Sequence, residues 1–297
     1  YLVKGEATNR DIVSTLLRVA RGEFAIPSAI GHQLLDELST HLERAHIEEE
    51  IHRGVDARVR RVLAAGSIDI VYQPILDLAS GVRRGVEALA RFTGPPIQGP
   101  DRWFADAAVA GLSVELELLA VRSAFRALGH LDVDTYLAVN VSPATAAHPA
   151  FHAMILDGAP TETVMEVTEH APIDDYDHFG RAIEPLRSAG VRLAVDDVGA
   201  GFASLRHILL LAPDIIKLDI SLTRGVDADR NRRAMARALI SFAAETEASI
   251  VAEGIETEAE REALRELGVS RGQGYLLGRP APLEQLLATD SGVTSGR

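Results

Sequence analysis

Oxygen-bearing side chains recur where short apolar runs of this sequence stop. One run ends in Glu87-Ala88-Leu89-Ala90-Arg91, the next in Asn140-Val141-Ser142, and the next in Glu166-Val167-Thr168-Glu169. Further along stand Asp196-Asp197, Lys217-Leu218-Asp219 and Glu253-Gly254-Ile255-Glu256, and a last run is entered by Gln273-Gly274-Tyr275. A lone Asp or Ser after a strand commonly caps the following helix, and Ser142 and Asp174 read that way. A solitary Glu there is ordinarily a solvated rim charge. The set is different, because carboxylates gathered in one mouth repel one another, and one Lys and one Arg cannot neutralise five or six of them. Divalent cations can. A ligand set of Glu87, Asn140, Glu166, Asp196 and Asp197 is all oxygen, which favours Mg²⁺ or Mn²⁺ over zinc. The adjacent pair Asp196-Asp197 could place one carboxylate between two metals and the other on the second. Two ions about 3.5–4 Å apart suit in-line displacement at phosphorus. Lys217 could hold the attacking water or the developing charge. The chemistry that follows is metal-dependent phosphodiester hydrolysis; the substrate does not follow.

Such groups converge only if the elements carrying them do. From about residue 66, apolar runs at Ile68–Ile75, Val82–Phe92, Tyr136–Val141, Val164–Val167, Val191–Val195, Ile215–Leu218, Ile250–Ala252 and Gly274–Leu277 alternate with helix-patterned stretches. The latter include Ser113–Leu128, His178–Ala189, Ala234–Thr246 and Glu258–Leu267. This alternation predicts an α/β fold of parallel βα units closing into a TIM-like (β/α)8 barrel, whose strand C-termini open on one face. A doubly wound open sheet is the alternative, but no G-x-G-x-x-G follows a strand and no phosphate-loop motif occurs. Ahead of the barrel, Leu35, Leu38, Leu42 and Ala45, then Ile51, Val55, Val59 and Val62, mark one or two amphipathic helices. Such a helical extension either packs on the barrel or pairs with a partner chain.

Composition narrows the partners. Asp and Glu number 43 against 30 Lys and Arg, a formal charge of −13, which argues against a polymeric nucleic acid as partner. A small anion whose charge is met by metal ions stays open. There is no cysteine, so no disulfide framework exists, as in a reducing, cytoplasmic interior. The longest apolar runs, such as Ile208–Ala212, fall far short of the roughly 20 residues of a membrane span. The chain starts at Tyr1 rather than Met and reads as a piece of a longer protein. Most of the histidines are expected on the solvated surface.

The motifs carry a resemblance. Glu87-Ala88-Leu89 with Arg91 resembles the name-giving motif of the EAL-domain cyclic di-GMP phosphodiesterases, and the rest follows in family order. Tyr72-Gln73-Pro74-Ile75 resembles the opening Q-P-I, Asn140-Val141-Ser142 resembles N-x-S, and Glu166-Val167-Thr168-Glu169 resembles E-[LIV]-T-E. Asp196 to Leu205 resembles D-D-F-G-x-G-x-S-S-L, and Ile216–Asp219, Val251–Glu256 and Gln273–Tyr275 complete the set over about residues 51–287.

The resemblance implies a barrel with one irregular strand, two Mg²⁺ or Mn²⁺ ions per site, and hydrolysis of cyclic di-GMP to linear pGpG in bacterial signalling. It places Glu87, Asn140, Glu166 and Asp196 on one metal, and Asp196 with Asp197 on the second. Glu253 becomes general base or second-metal ligand, and Lys217 positions the water. Gln73, Leu89, Arg91, Asp219 and Gln273 contact guanine or phosphate, and Glu256 lies near the substrate. Glu169 braces the loop Val198–Leu205, which in this family couples a homodimer interface to metal binding. A catalytically inactive sensor that binds the nucleotide and acts through partner contacts is the alternative. Two positions depart from the pattern: Val198 stands for the usual Phe, and Ala108 for a Glu. Neither removes a metal ligand, and the smaller Val198 is expected to loosen the loop.

Residues 1–36 resemble the last strand and helix of a response-regulator receiver domain, with Lys4 matching its switch lysine. This implies a two-component context. Residues 37–65 then form a linker helix, 66–287 the barrel, and 288–297 a flexible tail.

Overall fold

The computed structural model describes residue 18 and residues 28–132, 134–158, 160–168, 173–199 and 204–291. Backbone contacts divide the chain into two units, Tyr1–Arg58 and Val59–Arg297. In the first, α1 (Ser28–Ala65) begins earlier than the expected linker helix, so residues 28–36 are helical, and its last turns belong to the second unit. The exposed pair Glu49–Arg53 at i,i+4 spacing adds a few tenths of a kcal/mol to the helix. The receiver-like strand and Lys4 lie outside the described residues.

The second unit is a closed barrel whose strands follow one another in sequence order. These are β1 (Asp69–Asp77), β2 (Arg83–Arg91), β3 (Tyr136–Asn140), β4 (Thr163–Thr168), β5 (Arg192–Val198), β6 (Ile215–Leu218), β7 (Ser249–Ala252) and β8 (Arg271–Gly272). Around it lie α2 (Pro100–Ala110), α3 (Ser113–Ala124), α4 (Pro143–Ala146), α5 (Pro149–Leu156), α6 (Tyr176–Ser188), α7 (Ser204–Leu211), α8 (Ile220–Thr223), α9 (Arg230–Glu245), α10 (Glu258–Glu266) and α11 (Leu283–Ser291). No helix among the described residues is long and apolar enough to cross a membrane.

Three expectations need correction. The βα alternation alone predicts uniformly parallel strands, and they are not. The one irregular strand that the resemblance implies is β1, which runs antiparallel to both β2 and β8, while every other pair is parallel. The link between β1 and β2 is a tight turn in which Asp77 accepts hydrogen bonds from the Ser80 backbone and hydroxyl, and it is too short for a crossover helix. The eighth strand is Arg271–Gly272 rather than Gly274–Leu277, so Gln273 leaves the strand instead of entering it. The cap of α6 is Asp175, not Asp174, accepting from the His178 amide, whereas Ser142 caps α4 as expected. Among the histidines His207 is buried, with Nδ1 2.6 Å from the Tyr176 hydroxyl.

Alternation along the strands sorts side chains into two cores. Val86, Val139, Val167, Val195 and Leu218 face outward and join Phe151, Ile183, Leu186 and Leu239 of the surrounding helices. Ile75, Tyr136, Ala138, Val164, Ala194, Ile215 and Val251 form a second core, the layer of side chains that fills a barrel's interior. Val198 is fully buried at the end of β5, paired with Leu218. Residues 200–203 of the loop it opens are outside the described ones, as is Glu169.

Candidate active site

One rule positions the site. On β3 to β7 a polar side chain stands two residues beyond a member of the inner core: Asn140 after Ala138, Glu166 after Val164, Asp196 after Ala194, Lys217 after Ile215, and Glu253 after Val251. Two residues of strand return a side chain to the same face, one layer higher. Glu87 lies between the outward-facing Val86 and Ala88, and therefore points inward too. On the reversed strand β1, Gln73 precedes Ile75 instead of following it and pairs with Glu87 in the sheet register.

These groups meet. Lys217, 1% exposed, places Nζ 2.8 Å from Glu166, 2.9 Å from Glu253, 3.0 Å from Asp196 and 3.5 Å from Glu87. Asn140 Nδ2 donates to Glu87 Oε1 at 2.9 Å, and Gln273 Nε2 donates to Glu87 Oε2 at 2.7 Å and to Glu253 Oε1 at 2.8 Å. Asp196 Oδ1 accepts from the Asp197 amide, and Asp197 turns its backbone into the left-handed region at φ 59°. Behind Gln273 the chain needs glycine. Gly274 has φ 154°, and a Cβ there would stand 2.2 Å from the Ile255 backbone.

Four carboxylates against one ammonium leave excess negative charge in a buried place. Burial, and then the charges of Glu87 and Asp196, push the Glu166 carboxyl well above the usual range, despite Lys217. Burial likewise pushes Glu253 up to about 8. Glu87 resists burial and stays low, because Lys217, Gln273 and Asn140 all favour its ionised form. Burial opposes the charge on Lys217, but the four carboxylates outweigh it and hold the ammonium protonated. The donor set fits divalent cations. Glu87, Glu166 and Asp196 form one group with ligand atoms within 4.8 Å of one another, and Asp196, Asp197 and Glu253 form a second that shares Asp196.

Beside these groups opens a cavity of ≈ 520 Å³ lined by Leu89, Arg91, Phe104, Asn140, Thr168 and Asp197, among others. Thr168 and Phe104 were not singled out from the sequence. Thr168 was legible, standing two residues past Glu166 on β4; Phe104 comes from α2, which no strand pattern reaches. Other expected contacts are engaged elsewhere. Gln73 donates to the Gly278 carbonyl, Asp219 caps α8 through the Ser221 amide, and Arg91 donates to the Ala90 carbonyl. Glu256 is exposed and pairs with Arg224.

A closed barrel with an all-oxygen cluster that could hold cations at the carboxyl ends of its strands defines the class to which this chain belongs. The chain is a member of the EAL domain family, which it matches over residues 56–280. It is 33% identical over 244 residues to the cyclic di-GMP phosphodiesterase NbdA of Pseudomonas aeruginosa, covering 78% of this chain and 31% of that protein. It spans about a third of the length of the curated relatives it matches. Among solved structures it resembles the PaMucR phosphodiesterase in complex with c-di-GMP, with a TM-score of 0.70 and 31% identity, over 78% of this chain and 99% of that one. A manganese and cyclic di-GMP complex of Klebsiella pneumoniae BlrP1 aligns with a TM-score of 0.65 and 30% identity, over 72% of this chain and 56% of that one.

Proposed function

We propose that this chain hydrolyses cyclic di-GMP to linear pGpG with the help of two divalent cations, Mg²⁺ or Mn²⁺. The observation that carries this reading is the pair of carboxylate groups sharing Asp196 at one mouth of the barrel. Glu87, Asn140, Glu166 and Asp196 would hold one cation, and Asp196, Asp197 and Glu253 the other. Bound there, the cations would neutralise the phosphodiester and make water nucleophilic near neutral pH.

The chain's own groups do the rest. Glu253 Oε1 is held by Lys217 and Gln273, and Oε2 has no hydrogen bond among the described residues. Oε2 is the atom that takes the proton of the attacking water. The water oxygen bonds to phosphorus, the P–O3′ bond breaks, and the leaving 3′ oxygen takes up a proton, returned from Glu253 or supplied by solvent, to end as a hydroxyl. Lys217 orients Glu253, Asp196 and Glu166 together and holds the water. The cavity lined by Leu89, Arg91 and Phe104 seats a guanine and a phosphate, joined by Gln73, Asp219, Glu256 and Gln273 when nucleotide is present.

Incubation with cyclic di-GMP and Mg²⁺ or Mn²⁺ should yield pGpG on chromatography. Binding without turnover under either metal would reject hydrolysis in favour of a sensor. A homodimer is supported by exposed Leu209 and Leu210 on α7, which follows the loop, and by exposed Ile47 and Ile51 on α1. Light scattering should give twice the chain mass, and Leu209→Glu should return it to one.

A further inference from the structure

At the end of the barrel opposite the carboxylate mouth, the interior turns from acidic to basic. The strand period that lifts Asn140 and Asp196 into the mouth sets Tyr136 and Arg192 four residues earlier on β3 and β5, while Arg271 opens β8. Tyr136, Arg192 and Arg271 line a cavity of ≈ 470 Å³ with Arg84, Asp77 and Asp134.

The polar groups of this cavity are mostly unanswered. Arg84, Arg192 and Arg271 make no ion pair among the described residues. Asp77 is engaged by Ser80 in the β1–β2 turn, and Asp134 is exposed at the rim. Tyr136 is 5% exposed, and its hydroxyl has no hydrogen-bond partner among the described residues. A donor left buried and unmatched is destabilising, and a bound acceptor would relieve it. Burial and the charge of Glu166 push this phenol up to about 12, so it stays a protonated donor. Its ring is held in place: the Arg192 guanidinium stacks 4.5 Å from its centroid, and a Cβ on Gly85 would stand 2.5 Å from the ring. Three guanidinium groups and a phenol, all donors, therefore line the cavity with two carboxylates, Asp77 engaged by Ser80 and near Arg84, and Asp134 exposed. The charge of Asp214, which accepts from the Leu193 amide, also reaches Arg192.

We propose that this cavity is a second binding site, for a phosphate-type oxyanion, in which Tyr136, Arg192 and Arg271 donate to the same group. Guanidinium forks match tetrahedral oxyanions in paired hydrogen bonds, and the phenol supplies a further donor from the cavity wall. The site is independent of the reaction proposed at the mouth. The competing account is that the basic layer only plugs the barrel floor.

Calorimetric titration of the full chain in Mg²⁺ with inorganic phosphate, against chloride at matched ionic strength, separates the two. Saturable phosphate binding is expected that survives Asp196→Asn, weakens at least 10-fold in Arg271→Gln, and weakens several-fold in Tyr136→Phe. Circular dichroism checks the fold of each variant. If Arg271→Gln does not fold, Tyr136→Phe, which removes a single oxygen, carries the test. Absence of saturation, equal heats with chloride, or binding lost in Asp196→Asn but kept in Arg271→Gln and Tyr136→Phe would each overturn the proposal.

Discussion

Lys217 Nζ lies 2.8 Å from Glu166 Oε2, with the two side chains 1% and 2% exposed. Because Asp196, Glu253 and Glu87 crowd the same ammonium, Lys217 is the hub of the mouth rather than one partner of a single pair. Removing one member of a buried ion pair typically costs 3–5 kcal/mol, since the remaining charges lose their counterion. Lys217→Met should therefore lower stability by about 3–5 kcal/mol in EDTA and abolish turnover. Mg²⁺ should restore part of the lost stability by replacing the missing charge. Denaturant unfolding with and without Mg²⁺ checks this, and an equal loss in both would contradict it.

Asp196 belongs to both carboxylate groups, whereas Asp197 belongs to one. A cation that binds only the folded state raises stability by about 2.7 kcal/mol at 100 times its Kd. Mn²⁺ should raise the Tm of the unaltered chain, and EDTA should reverse the rise. Asp196→Asn should lose most of the shift, and Asp197→Asn should keep a fraction of it. Thermal scans across Mn²⁺ concentrations read the difference.

Glu253 sits among donors through Oε1, and the Thr223 hydroxyl bonds its backbone carbonyl, which ties the residue in place. Glu253→Gln keeps the shape and removes the proton acceptor. Its turnover should fall roughly 10²- to 10⁴-fold, with cyclic di-GMP affinity changed little. Single-turnover kinetics beside equilibrium binding separate the two effects; unchanged turnover would remove Glu253 from the reaction.

Glu260 offers a pH dependence away from the mouth. It is 5% exposed and accepts from the amides of Gly225, Glu256 and Thr257. Burial raises its carboxyl, but these donors outweigh it and hold the group below its ordinary value. A depressed carboxylate contributes stability that is present above the ordinary value and is lost as pH falls through the folded one. Glu260→Gln should cost about 1–3 kcal/mol at pH 7. Below about pH 5 the gap between variant and parent should narrow. Urea midpoints across pH 3–7 measure this, and a gap constant over that range would contradict it.

The sequence by itself determined the alternation of strand and helix, and with it the barrel. It also determined the oxygen ligands and the lysine among them, because strand period 2 places Asn140, Glu166, Asp196, Lys217 and Glu253 on the same face as their inner-core neighbours. Those are local properties: residue type, spacing and periodicity. Tertiary structure decided what depends on closure. The reversed strand β1 brought Gln73 beside Glu87, and the eighth strand ended before Gln273, so that its amide could join Glu87 to Glu253. Lys217 proved to be ringed by four carboxylates, while Glu256 pairs with Arg224 instead. The basic floor of Tyr136, Arg192 and Arg271 was invisible for the same reason, since three residues spread over 136 to 271 become neighbours only through the pairing of distant strands. Register between strands is a non-local choice, set by which side chains fill the interior together, and no short stretch of sequence carries it.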